Sequence, residues 1–257
     1  MVFKSGFVRA LALSGLLIGA VEAQPEPAGF AELHQIDRAV ASVAGETIRI
    51  VNRFGNVRIR SVPDQAEGSL RVTVQAHTKK TNPATVEVRR NECGPVFEVV
   101  ADAESDDFIR ADLVVALPDR AGVDVVLEDG DFTMHAASYP VRVGARSGQI
   151  RLQTSGRVDV EVLGGRVVYN PPGPVGHRPA GGRIQTSGAP VDVLVGDRTA
   201  LNYRVVSGAA VTTDSLALLE TRRREGRAVL FGDHQGANLL EIQTDHAPVR
   251  LVAEGHR

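Results

Sequence analysis

Three near-copies of one phrase in the last third of the chain constrain its fold more than any other feature: LQTSG at 152–156, IQTSG at 184–188 and IQTDHA at 242–247. The first two lead into the alternating apolar runs RVDVEV at 157–162 and APVDVLV at 189–195, and the third leads into APVRLV at 247–252. A strand and turn reused in this way are the mark of a repetitive β architecture. No catalytic or ligand motif lies on the repeats.

The same grammar runs from Thr47 onward. TIRIV at 47–51, NVRIR at 56–60, LRVTVQA at 70–76, TVEVR at 85–89 and ADLVVAL at 111–117 each put apolar side chains on one face and polar ones on the other. VRVGA at 141–145, IRLQT at 150–154, VDVEV at 158–162, VDVLV at 191–195, AVLF at 228–231, LLEIQT at 239–244 and VRLVA at 249–253 continue it, and LALLE at 216–220 reads as one more strand. The chain is therefore expected to be all-β. Val141, Ile150, Val158 and Val167 open consecutive strands 9, 8 and 9 residues apart, with Gly148, Gly156 and Gly165 between them to take the positive φ of tight turns. Strands this short and regular stack either as rungs of a β-solenoid or as a β-sandwich of meandering hairpins. The likeness of successive turn units favours the solenoid.

Three segments stand apart from the pattern. Residues 1–23 have the layout of a secretory signal peptide: Lys4 and Arg9, an apolar stretch from Ala10 to Val21, and Val21-Glu22-Ala23 before Gln24. Residues 24–45 read as a linker or N-terminal cap, in which Phe30, Leu33, Ile36, Val40 and Val43 fit either an amphipathic helix or an irregular first strand. Residues 46–257 then form a single elongated β domain. NPPGPVGHRPAGG at 170–182 has four prolines and four glycines, so it must loop out of the stack.

Without the first 23 residues the chain carries 27 basic and 30 acidic side chains. That balance gives no global attraction to nucleic acid or anionic membranes. There is no Trp, and only three Tyr and eight Phe, which leaves few flat surfaces for stacking sugars or bases. Of the basic residues only Lys4, Lys79 and Lys80 are not Arg. The single cysteine, Cys93, cannot form an internal disulfide and reads as a free thiol in a turn.

Signatures of nucleophilic hydrolases, zinc proteases, phosphate loops and dinucleotide folds are missing from the sequence, and the seven histidines have no zinc-site spacing. No catalytic residue, cofactor or metal site is assigned. Carboxylates cluster at Glu104, Asp106 and Asp107 and at Glu128, Asp129 and Asp131, where a calcium ion and an ordinary wet turn are the competing readings. Arg222, Arg223, Arg224 and Arg227 surround one turn and could hold a phosphate, a lipid headgroup or an acidic partner, or could simply protect a sheet edge. Together with His177 and Arg178 in the 170–182 loop, they are the candidate contacts. Parallel β-helices also host polysaccharide lyases and glycosidases, for which Asp159, Glu161 and Asp192 would be the carboxylates.

The opening pair TIRIVNRFGNVRIR at 47–60, with its Asn-x-x-Gly-Asn turn, the run ADLVVALPDRAGVDVVLEDGDFTM at 111–134 and the serial turns Ser147-Gly148, Ser155-Gly156, Ser187-Gly188 and Ser207-Gly208 resemble the secreted bacterial toastrack, or adhesin-type, domains, a family of unknown function. The resemblance spans about residues 45 to 253. It implies a non-enzymatic, repetitive β domain of the cell envelope. The signal segment adds a periplasmic or secreted destination, loops on a β scaffold suit recognition of an envelope protein or polymer, and open ends of the strand stack allow self-association. The family's Asp after the turn glycine is kept at Gly130-Asp131 but replaced by Asn56, Gln149, Arg157 and Ala189.

Overall fold

The computed structural model describes residues 32–40, 46–62, 68–76, 84–92, 94–101, 108–118, 121–171, 179–196, 201–220, 222–232 and 238–253. The strands in chain order are β1 (Glu32–Val40), β2 (Thr47–Phe54), β3 (Val57–Val62), β4 (Gly68–Ala76), β5 (Ala84–Asn91), β6 (Gly94–Ala101), β7 (Phe108–Pro118), β8 (Gly122–Asp129), β9 (Phe132–Ala137), β10 (Val141–Ser147) and β11 (Gln149–Thr154). They continue as β12 (Val158–Val162), β13 (Arg166–Asn170), β14 (Gly182–Thr186), β15 (Val191–Val195), β16 (Asn202–Ser207) and β17 (Val211–Thr213), then helix α1 (Leu216–Glu220), then β18 (Arg223–Glu225), β19 (Ala228–Phe231), β20 (Leu239–Thr244) and β21 (Val249–Ala253).

These strands make two sheets. One has ten strands in the order β1-β4-β7-β3-β9-β11-β13-β15-β21-β17, and the other has eleven in the order β18-β19-β16-β20-β14-β12-β10-β8-β2-β6-β5. The fold is a β-solenoid: the chain crosses from the eleven-stranded to the ten-stranded sheet in pairs such as β10/β11 and β12/β13, and equivalent strands of successive pairs are parallel. Val141 lies opposite Val158 and Ile150 opposite Val167, so one rung takes 17 residues. A sandwich of hairpins would have paired these neighbours antiparallel.

In-register stacking turns the period-2 pattern into straight columns of core residues. Ile50, Val125, Val143, Val160, Ile184, Ile242 and Val205 form one column, all buried. Across the core, Val57, Phe132, Ile150, Val167, Val191 and Val249 form another. Burying each such side chain is worth about 1.5–3 kcal/mol, and one residue of slip would turn the whole set outward.

The turns that join the two sheets are also stacked. A Cβ on Gly130 would lie 2.0 Å from Gly55 O, one on Gly148 2.0 Å from Gly130 O, and one on Gly165 2.0 Å from Gly148 O. Successive turns thus touch backbone to backbone, which only glycine permits. Gly148 and Gly165 have the expected positive φ, whereas Gly156 does not; its constraint is close approach, with Tyr139 O 1.7 Å from where its Cβ would be.

Two expectations need correction. The LALLE segment is α1, not a strand: Leu219 N donates to Ser215 O, and Leu218 is buried against the core cluster. Ser215 precedes the first helical residue, where a helix N-cap is favoured, so one helical turn outcompetes alternation there. The three repeated phrases are also not equivalent. In the second and third copies Ile184, Gln185 and Thr186 pair with Ile242, Gln243 and Thr244, and Thr186 and Thr244 donate through Oγ1 to Ala189 O and Ala247 O. The first copy ends β11 in the other sheet, where Thr154 Oγ1 accepts from Gly156 N.

Both ends of the stack change direction. β1 and β4 pair antiparallel along nine positions, from Glu32↔Ala76 to Val40↔Gly68, so within 24–45 the described part is a strand and not a helix. β5 with β6, and β18 with β19, close the eleven-stranded sheet with antiparallel hairpins. The last rung in sequence, β20/β21, lies between β14/β15 and β16/β17.

Candidate recognition surfaces

The outward positions of the strands carry the polar chemistry, and the two sheets use them differently. Across the eleven-stranded sheet the register lines up Arg49, Asp124, Arg142, Asp159, Arg183, Glu241 and Arg204, with the sign alternating at every strand. Arg49 meets Asp124 at 3.2 Å, Arg204 meets Glu241 at 3.3 Å and Arg142 meets Asp159 at 4.0 Å. Exposed pairs like these add little stability each, but like charges on adjacent strands would oppose the register. A hollow of about 480 Å³ lies over this ladder, bordered by Arg49, Asp124, Arg142, Arg157 and Asp159.

The ten-stranded sheet has no such alternation near its middle. Arg58 lies opposite Thr133, which lies opposite Arg151, while Arg60 lies opposite His135. All four basic side chains are exposed. His135 Nδ1 is 3.3 Å from Gln153 Oε1, and among the described residues no ion pair engages Arg58, Arg60 or Arg151. Sequence reading recorded the alternating runs that carry these residues but not their meeting, because the arginines are on β3 and β11.

Asp192, offered as a catalytic carboxylate, is 4 % exposed and locked between two arginines. Arg166 donates to Oδ2 through Nε at 2.8 Å and also through Nη2, and Arg250 donates through Nε to Oδ1 at 2.8 Å. Asp159 and Glu161 are on β12 in the other sheet, so the three carboxylates do not share a face. Within the Glu128, Asp129 and Asp131 cluster each acid has its own partner: Arg53 at 3.7 Å, Ser147 Oγ at 2.7 Å and the backbone N of Gln149 at 2.8 Å. Among the described residues no three His, Cys, Asp or Glu converge as a metal site. Glu104, Asp106, Asp107, Cys93, His177 and Arg178 lie outside the described residues.

Asp131 is part of a short ladder along the turn edge. Asn56 N donates to Asp112 Oδ1 at 2.8 Å, Asp131 N donates to Asn56 Oδ1 at 2.9 Å, and Gln149 N donates to Asp131 Oδ1. An Asn serves here as well as an Asp, because the required group is an acceptor oxygen and not a charge.

Arg222, Arg223, Arg224 and Arg227 are all exposed, at the outermost hairpin of the eleven-stranded sheet. Arg223 pairs with Leu230 and Arg224 with Val229, so alternation sends Arg223 and Arg224 to opposite faces. The Arg222 guanidinium is 5.9 Å from the centroid of the buried Phe231 ring, in cation–π range. Arg223 and Arg224, adjacent in sequence, therefore do not present their charges on one face of the hairpin.

No family model matches the sequence, and no curated protein matches it. Solved structures do match the fold. A "putative cell adhesion protein" from Clostridium sporogenes ATCC 15579 superposes with a TM-score of 0.52 at 11 % identity, over 87 % of this chain and all of that one (100 %). A "putative adhesin" from Bacteroides fragilis NCTC 9343 gives 0.42 at 11 % identity, over 86 % of this chain and 97 % of the other. The class defined by this architecture is the all-β solenoid found in the Clostridium protein. Among the described residues no helix is long and apolar enough to cross a membrane.

Proposed function

We propose that this chain is an exported, non-catalytic domain of the cell envelope, periplasmic or secreted, that acts by surface recognition in an adhesin-like or scaffold role. The observation that carries this reading is the in-register stack itself, which fixes outward side chains in straight rows on a rigid base. Such a base suits recognition by its outer faces and by loops held at its margins. The Clostridium protein of similar fold carries the description "putative cell adhesion protein", which accords with it. The loop at 170–182, with His177 and Arg178, and the hairpin with Arg222, Arg223, Arg224 and Arg227 are the contacts proposed for an envelope protein or polymer. Photo-crosslinking amino acids placed at His177 and at Arg223 in living cells test this directly. A discrete adduct identified by mass spectrometry is the expected result; labelling no different from a crosslinker buried at Val143 overturns it.

A further inference from the structure

Arg49, Arg142 and Arg204 of the eleven-stranded sheet are matched by carboxylates one strand away, whereas among the described residues Arg58, Arg60, His135 and Arg151 on the ten-stranded sheet are not. The nearest acids by register are already engaged: Asp112 with Arg110 at 2.6 Å and Asn56 N, Asp131 with Gln149 N, and Asp192 with Arg166 and Arg250. Adjacent strands are about 4.8 Å apart, so Arg58 and Arg151 stand about 10 Å apart across Thr133. That spacing suits successive charges on one extended polyanion better than a single small anion.

A trough adjoins the cluster. Val114 and Ala116 of β7 pair with Arg58 and Arg60, and with Ala39 and Ser69 they line a shallow depression of about 570 Å³ edged by Arg38 and by Arg71, whose Nε donates to Asp37 Oδ1 at 2.8 Å on the same rim. Small side chains let an extended ligand lie close to the sheet there. Phe97, Phe132, Phe231, Tyr139, Tyr169 and Tyr203 are all buried, so none of these six rings is a platform for stacked bases. Leu163, Leu216 and Leu219, the exposed large apolar residues among the described side chains, lie outside the strands of this face and give it no anchor for a lipid surface.

From this we propose that the outer face of the ten-stranded sheet binds a linear acidic polysaccharide, with Arg58, Arg60, His135 and Arg151 contacting its carboxylate or sulfate groups. The proposal rests on the recognition reading above but uses a different surface from the loop and hairpin assigned there.

Its test is titration of the purified full-length protein with polygalacturonate, heparin, neutral dextran and phosphatidylglycerol vesicles. The wild type is expected to bind a polyanion saturably, more weakly as salt rises, and to ignore dextran. Replacing Arg58, Arg60 and Arg151 together with Ser is expected to weaken binding at least about tenfold, while replacing Arg49, Arg142 and Arg204 with Ser leaves it unchanged. Thr133→Glu is a second variant that places a carboxylate between Arg58 and Arg151, copying the alternation of the other sheet. It is expected to lose binding while keeping its thermal midpoint. No binding to either polyanion, equal loss in both triple variants, or binding to vesicles alone would overturn the proposal. Those results leave the crosslinking test of the loop and hairpin untouched, so the two readings fail separately.

Discussion

Arg250 donates through Nε to Asp192 Oδ1 at 2.8 Å, from the strand next to the one that carries the carboxylate. Arg166 holds the other oxygen from the opposite side, so a carboxylate with only 6 % of its side chain exposed has both oxygens satisfied by cations. Removing the acid leaves two half-exposed guanidinium groups facing one another. Asp192→Ala is expected to cost about 1–2 kcal/mol, less than a fully buried pair because the arginines remain solvated. Urea unfolding measures this, and an unchanged midpoint would mean that the arginines relax into solvent without loss.

Glycines in the stack separate into those the turns need and those they do not. Gly148 has φ +122 and Gly130 O occupies the place of its Cβ, so Gly148→Ala must push two rungs apart and is expected to cost about 2–4 kcal/mol. Gly144, on the outward face of β10, would place a Cβ in open space. Gly144→Ala is expected to be neutral or to stabilise by up to about 1 kcal/mol through the unfolded state. Thermal melts of the two variants side by side provide the check; equal losses would remove the close-approach argument.

How much of this was legible follows from which interactions are local. Alternation located β2, β10, β11 and β12 because their inward residues recur every second position within one strand. Strand order was not legible, since Ile184 could stack on any column of Val or Ile until pairing placed Ile242 beside it. The phrase LQTSG misled because matching letters at 152–156 and 184–188 occupy different sheets. At the surface, the charge run from Arg222 announced itself, yet register divides it between faces. Arg58 and Arg151 meet only through Thr133, a relation that no sequence window contains.

Tyr203 is wholly buried in the core and among the described residues its hydroxyl has no hydrogen-bond partner, whereas Tyr169 donates to Thr154 O at 3.3 Å. An unsatisfied buried hydroxyl carries its full desolvation cost, so Tyr203→Phe is expected to stabilise by about 1 kcal/mol and Tyr169→Phe to destabilise by a similar amount. Opposite signs in urea midpoints at neutral pH are the expected result. A loss in both would show that Tyr203 does have a partner in solution.

The same two tyrosines predict sensitivity to alkali. Burial raises both phenol pKa values, and Tyr169 raises that of Tyr203 further. Above pH 10 the unfolded chain releases these protons while the folded one retains them, so stability is intact below pH 10 and falls as pH rises from there. The slope approaches about 1.4 kcal/mol per pH unit for each tyrosine. Tyr203→Phe should fall less steeply than wild type between pH 9.5 and 11.5. Parallel curves would show that Tyr203 ionises without unfolding.

The outermost hairpin tests what its arginines are for. β18 has only three residues, all exposed, and its outer edge is the last of the eleven-stranded sheet, where unpaired backbone groups invite another strand. Charge at such an edge opposes pairing between copies, because two arginine strands would repel and lose solvation. Replacing Arg223 and Arg224 with Val keeps the pairing to β19 and raises strand propensity, and it removes that repulsion. Sedimentation velocity is therefore expected to show concentration-dependent dimers for this variant at concentrations where the wild type stays monomeric. The variant with Lys at both positions separates charge from guanidinium geometry: it should remain monomeric if repulsion is the cause. Dimerisation of the Lys variant would instead tie edge protection to the arginine side chains themselves, and a monomeric Val variant would leave recognition as their role.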